Sequence, residues 1–333
     1  MTQSWLGGLQ LVATAAFGFA LVGSLLFAAI TLLTLRATTE WVPAVRHRLL
    51  CALAVAPLAM ALLCTVVASL PALLAFVEPS FDHCLVHGDG HPHLCLRHLP
   101  ASAGPLALWL VLATAAAGIL TVLARSVARL RRGLVLVRNV LVSGQFAADL
   151  DATIVDSALP LCLSVGLTRP KVVLSRQLLM ALTPQALQAV LAHEREHGRR
   201  RDALLRWGLT VCAALHVPAV RRRLLAEIEV AAERLCDEAA ANRVGDRLTV
   251  AEAIVQVERL LAGTSHHAEF APVVAAFGQR AVERRVAALL DPPAVQGSLR
   301  LPIAIASTAG VGLLLACDPV HHVTETLLAF VIP

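Results

Sequence analysis

His193, Glu194 and His197 stand in the order His-Glu-x-x-His. On a helix, residues four apart share a face, so both imidazoles can reach one ion. The intervening glutamate then stands beside the water that the ion activates, placed as a general base. The surrounding residues favour such a helix. Thr183 can cap it, Pro184 suits its first position, and Leu187, Val190 and Leu191 recur at helical spacing. A shuffled chain of this composition would hold the pattern only about 0.02 times.

Two histidines and a water leave a tetrahedral zinc one protein ligand short. A later helical stretch, 221–241, carries Glu229, Glu233 and Asp237 one turn apart. Glu233 is the expected third ligand, with Glu229 and then Glu238 as the next candidates. Asp237, one turn beyond Glu233, is placed to accept the free N–H of a ligating histidine. Such a centre polarises a peptide carbonyl and brings the pKa of its water to around neutrality. Glu194 would take the proton and return it to the leaving amine. The developing oxyanion also needs a donor, and the chain contains no tyrosine. His216, Arg206 or a backbone N–H remain open for that role.

The elements that must position these residues are largely apolar. Of the 333 residues, 57% are hydrophobic and only 15% charged, and the mean hydropathy is +0.72. Stretches at about 9–35, 49–77 and 102–124 are free of charge and match the ~20 residues a bilayer span needs. A fourth, 301–317, is at the short limit. Arg36, Arg46 and Arg48 lie between the first two spans, Arg125, Arg129, Arg131 and Arg132 follow the third, and Arg300 precedes the fourth. Basic residues mark the cytoplasmic side. The expectation is a multi-pass protein of a bacterial inner membrane with both ends extracytoplasmic. Its regions are a membrane domain over 1–124, a cytoplasmic zinc domain over 125–300, the fourth span and a short external tail, 318–333. The net charge of +5 follows these flanks and does not suggest direct nucleic-acid binding.

The external loop 78–98 is rich in histidine and also holds Cys84 and Cys95, which can pair outside the cell. Its composition allows metal sensing, but a solvated loop is the plainer reading. Past Arg132 the chain turns soluble in character. Residues 135–142 alternate weakly, and 153–156, 161–165 and 171–175 are short β-rich runs that predict a small sheet ahead of the zinc helix. An edge strand there could hold an extended substrate by strand addition. Residues 203–220 form a broken apolar run, read as a helix lying against the membrane or buried in the soluble part. The vicinal pairs His266–His267 and His321–His322 are read as surface residues. Overall the fold class is mostly α, with four transmembrane helices and an α+β zinc domain.

The stretches Leu161–Ser175, Val190–Asp202 and Glu233–Ala239 together resemble the BlaR/MecR family of integral-membrane metallopeptidases. The likeness extends to three spans before the domain and one after. It implies a gluzincin-type cytoplasmic domain with one catalytic zinc on His193, His197 and Glu233, Glu194 as base and Asp237 as the supporting acid. It also implies proteolysis of a cytoplasmic partner, such as a BlaI/MecI-type repressor or the chain itself, in response to an external signal. Self-association stays open. The family's β-lactam receptors carry a large sensor after the last span. The 16 residues from Asp318 are too few for one, so a signal is expected to enter through the 78–98 loop, the spans or a partner. Two other readings share parts of the pattern: an HtpX-like quality-control protease, and a non-proteolytic transducer with a structural zinc.

Overall fold

The computed structural model describes residues 5–75, 77–78, 94, 105–157, 159–264, 279–291 and 295–331. Most of loop 78–98, with Cys84 and Cys95, and the pair His266–His267 lie outside the described residues. Three long apolar helices come first: α1 (Trp5–Ala37), α2 (Pro43–Leu74) and α3 (Leu106–Ser143). Each is long and apolar enough to cross a membrane. The stretch read as a fourth span is a bent pair, α10 (Arg300–Leu315) and α11 (Cys317–Val331), with 76° between them. It counts as a fourth crossing only if the two halves are taken together. The segment expected to be a short tail is therefore mostly helix.

Two expectations need correcting. Residues 135–142 do not alternate as a strand. They continue α3, whose 38 residues make a rod of about 57 Å, well beyond a hydrocarbon core of ~30 Å. Four arginines end the apolar run, but they are good helix formers and leave the helix intact. Ser126 is its only buried residue, so α3 stands largely apart from the described protein. His321 is also not a surface residue. It is buried, its Nδ1–H donates to the Ala68 carbonyl at 2.6 Å, and its Nε2 lies 3.1 Å from Glu325.

The sheet follows α3: β1 (Gln145–Ala147), β2 (Ala152–Val155), β3 (Cys162–Val165) and β4 (Lys171–Ser175). Its order is β1-β2-β4-β3, with β2 and β4 parallel and both outer pairs antiparallel. Residues 153–156, 161–165 and 171–175 thus form strands close to where the sequence puts them, and β3 is an edge. Next come α4 (Arg176–Ala181) and α5 (Pro184–Arg200), the helix of the histidine motif. The N–H of Ala186 donates to Thr183 Oγ1 at 3.2 Å, and Pro184 occupies the first turn, where its missing N–H costs nothing.

Then follow α6 (Asp202–Cys212), a short 3-10 turn (Ala213–Leu215), α7 (Pro218–Val244), α8 (Arg247–Thr264) and α9 (Gln279–Leu290). The run 203–220 is thus a helix and a turn packed against α7 and α2: Leu209 and Ala213 share a cluster with Leu50, Leu53, Leu224 and Ile228. The main core of the domain joins Leu174, Leu178 and Leu182 to small residues of α5, α7 and α8, among them Ala189, Ala192, Ala240 and Ala253. Alanine at these positions lets helices approach closely, because interaxial distance follows the side chains at the contact. Close approach is what allows short His and Glu side chains from two helices to meet.

Candidate metal centre

Three residues from two helices converge. Nε2 of His193 lies 3.1 Å from Nε2 of His197, both on α5. The carboxylate of Glu233, on α7, faces both: Oε2 lies 3.5 Å from the first and Oε1 3.4 Å from the second. Four ligands about 2.05 Å from a tetrahedral zinc stand about 3.3 Å apart, so this triangle has the size of one face of such a site. The sequence expectation put these residues together, and the structure places them together. Glu229 is not with them; it pairs with Arg206 at 2.8 Å on an exposed face.

The outer nitrogens are also engaged. Nδ1 of His193 lies 2.9 Å from Asp237, and Nδ1 of His197 lies 2.7 Å from Asp202. A carboxylate only accepts, so both Nδ1 atoms carry hydrogen and both Nε2 lone pairs face the triangle. Two lone pairs and a buried carboxylate pointed at one another repel unless a proton or a metal cation lies between them. The donor set therefore fits a divalent ion that takes imidazole and carboxylate.

Asp237 was expected at this place, but Asp202 was not. Arg201 separates α5 from α6 with φ 54, a left-handed conformation that a non-glycine residue rarely adopts. That turn brings the first residue of α6 back onto the imidazole five residues earlier. The signal in the sequence was an aspartate just past an arginine-rich helix end, which reads equally well as a simple helix start. Arg285, on α9, was also missed. It donates to both oxygens of Asp237, at 2.6 and 2.8 Å, and lies 3.1 Å from Glu233. Its sequence distance from the motif left nothing to suggest it.

Electrostatics follow from these contacts. Burial opposes charge on Glu233, but the two histidine side chains and the nearby Arg285 hold its carboxyl well below the ordinary range. Asp237 is lowered in the same way, against its burial, by Arg285 and His193. Burial also works against a charged His193, yet Asp237 and Glu233 push it up to about 9. Glu194 is different: burial raises its carboxyl, only partly offset by the two histidines and one backbone N–H. A raised carboxyl is better matched to moving protons near neutrality.

That backbone N–H belongs to Ser164 on the edge strand β3, 2.8 Å from Glu194. Gly198, one residue past the motif, makes the approach possible: a Cβ there would sit 3.0 Å from Ser164 Oγ and 3.2 Å from Pro170 Cβ. Strand and helix together wall a cleft of about 570 Å³ that contains His193, Glu194, His197, Glu233 and Arg285. Arg206 reaches its rim. His216 does not; its Nε2–H is spent on the Leu53 carbonyl of α2 at 2.9 Å.

A strand-flanked His-Glu-x-x-His helix with a glutamate from a second helix is the arrangement of a metallopeptidase. The family profile described as BlaR1 peptidase M56 matches residues 103–289. The chain belongs to this family. The match spans α3, the sheet and α4 to α9, so it covers every residue of the centre, Arg285 included. No curated protein and no solved structure matches the chain significantly. Family and apolar helices together make it a membrane-associated metallopeptidase.

Proposed function

We propose that this chain is a zinc endopeptidase of an inner membrane that cuts a cytoplasmic regulatory protein in response to a signal received across the bilayer. The observation that carries the reading is the triangle of His193, His197 and Glu233 beside an edge strand, with Glu194 between them. A zinc ion held by these three residues supplies Lewis acidity toward a peptide carbonyl and acidifies a water. The rest of the chemistry belongs to side chains of this chain. Asp237 and Asp202 keep both imidazoles in the tautomer that presents Nε2. Glu194 accepts the proton of the attacking water and delivers it to the leaving amine.

The substrate is an extended segment. It adds along the outer edge of β3, where backbone hydrogen bonds hold it regardless of sequence. The cleft walls beyond the polar centre include Leu178, Val190, Val250, Ile254 and Val257, so apolar side chains of the substrate are buried there. The arginines flanking the first three helices support a cytoplasmic domain, and a BlaI/MecI-type repressor or a second copy of this chain are the partners that such a site would meet. Comparison of the cytoplasmic proteomes of cells carrying the wild type and Glu194→Gln tests the reading. A fragment that needs the glutamate is expected. Identical fragment patterns, with both proteins expressed and zinc-loaded, refute it.

A further inference from the structure

The start of α2 is tied to both helices that carry the candidate ligands. His47, buried on α2, has Nε2 3.3 Å from Nη2 of Arg200 at the end of α5. A guanidinium can only donate, so this imidazole accepts and its Nε2 carries no proton. Arg200 Nε donates in turn to Asp202, 3.1 Å from Oδ1 and 3.3 Å from Oδ2. Asp202 accepts the Nδ1–H of His197 at 2.7 Å. Donors and acceptors alternate without conflict from the apolar helix to the candidate ligand.

A second tie runs beside the first. Arg46, buried and adjacent to His47, donates to Glu227 of α7 at 2.8 Å. Below these polar contacts, Leu50, Leu53 and Ala54 of α2 pack with Leu209, Leu224 and Ile228 of α6 and α7. The line therefore rests on a shared apolar core and is not a loose surface contact. Arg200 itself is a long side chain with much rotamer freedom to lose. His47 is the group that fixes its far side while Asp202 takes its near side.

We propose that Arg200 is a positioning residue for His197, and that His47 sets where Arg200 stands, so that the position of α2 is read out at the metal centre. The inference rests on the zinc reading of the site. An axial or rotational shift of α2 separates His47 from Arg200, frees the guanidinium and slackens the hold of Asp202 on the imidazole. The centre then binds zinc less tightly and presents its Nε2 less accurately. A transmembrane helix is thereby connected to the chemistry without any domain between them.

The test uses the full chain in detergent or nanodiscs, with zinc affinity read by competition against a chromophoric chelator. Loss of a direct partner of a ligating histidine costs about 10- to 100-fold in metal affinity, so His47→Leu and Arg200→Met, one bond further out, are expected to cost about 3- to 10-fold. His47→Gln can still accept from Arg200 through Oε1 and is expected to recover most of the loss. Thermal unfolding of the metal-free proteins is measured alongside. A merely structural role would lower unfolding temperature and leave zinc affinity unmoved, with no difference between Gln and Leu at position 47; that pattern overturns the proposal. If His47→Leu does not fold, Arg200→Met, at a partly exposed residue, decides it by the same criterion. A wild-type chain that binds no zinc instead refutes the zinc reading beneath it.

Discussion

Nδ1 of His197 and Oδ2 of Asp202 are 2.7 Å apart, although five residues and a left-handed turn at Arg201 separate them along the chain. The contact is short and charge-assisted, and both partners are largely buried. It fixes which nitrogen of His197 faces the metal. Asp202→Asn keeps the shape and the ability to accept but removes the charge. Zinc affinity is expected to fall about 10-fold, and Asp202→Ala should cost nearer 100-fold, measured by chelator competition. Unchanged affinity in both variants would mean that the imidazole is held by its packing alone.

Glu194 contacts the site through its carboxylate and the strand through Ser164. It is not one of the three converging donors. Glu194→Gln is therefore expected to bind zinc as the wild type does and to lose peptidase activity by about 10²- to 10⁴-fold, the usual worth of general acid–base catalysis. Metal content by mass spectrometry separates this outcome from simple loss of the ion.

Arg285 is a permanent cation that faces two buried carboxylates at once, Asp237 and Glu233. Arg285→Met removes it and leaves only the histidines to offset the two charges. Breaking a buried pair in this way costs about 3 to 5 kcal/mol. Denaturant unfolding of the metal-free chain should show a loss of that order, and excess zinc should restore part of it, since a bound cation replaces some of the missing charge.

The reach of sequence reasoning stops at such contacts. His193 and His197 were legible because four-residue spacing on a helix determines a shared face before any tertiary structure exists. Glu233 and Asp237 were legible for the same reason, once the first pair suggested what a second helix must bring. Arg285 was not, because its meeting with Asp237 depends on how α9 packs across α7, and no local period encodes that. Asp202 failed differently: its neighbour in sequence was visible, but the left-handed turn that aims it was not. The extent of α3 was misjudged because charge ends a bilayer span without ending a helix. His321 was misjudged because a vicinal pair on a helix need not point both members at one site for one of them to be buried.

Without metal, the centre should respond to pH in a definite direction. Asp237 and Glu233 push His193 up to about 9 from its ordinary 6.5, in spite of burial. A raised pKa contributes stability that is complete below 6.5 and is lost as pH climbs toward 9. Glu233 and Asp237 are lowered from 4.5 and 3.8, so their contribution is present above those values and disappears as acid protonates them. The chelated protein should thus melt highest at mildly acidic pH and lose stability between pH 6.5 and 9. Zinc must displace the extra proton held between the imidazoles, so apparent affinity should rise about tenfold per pH unit over the same window. Melting curves that stay flat from pH 6.5 to 9 would contradict the pairing described here.

The edge strand offers the sharpest separation of substrate binding from metal chemistry. The Ser164 N–H points off the outer edge of β3 toward Glu194, while its neighbours pair inward with β4. A proline is tolerated on an edge where the lost N–H faces outward, so Ser164→Pro should fold. It deletes the one backbone donor to Glu194 and crowds the line along which an extended segment would add. Zinc affinity should change little, because Ser164 contacts none of the three converging donors. Peptidase activity should fall by at least about 10-fold, with part of the loss in KM if strand addition binds the substrate and all of it in kcat if the N–H serves only to hold Glu194. Full activity in this variant would remove β3 from the mechanism and leave the apolar walls of the cleft as the means of holding substrate.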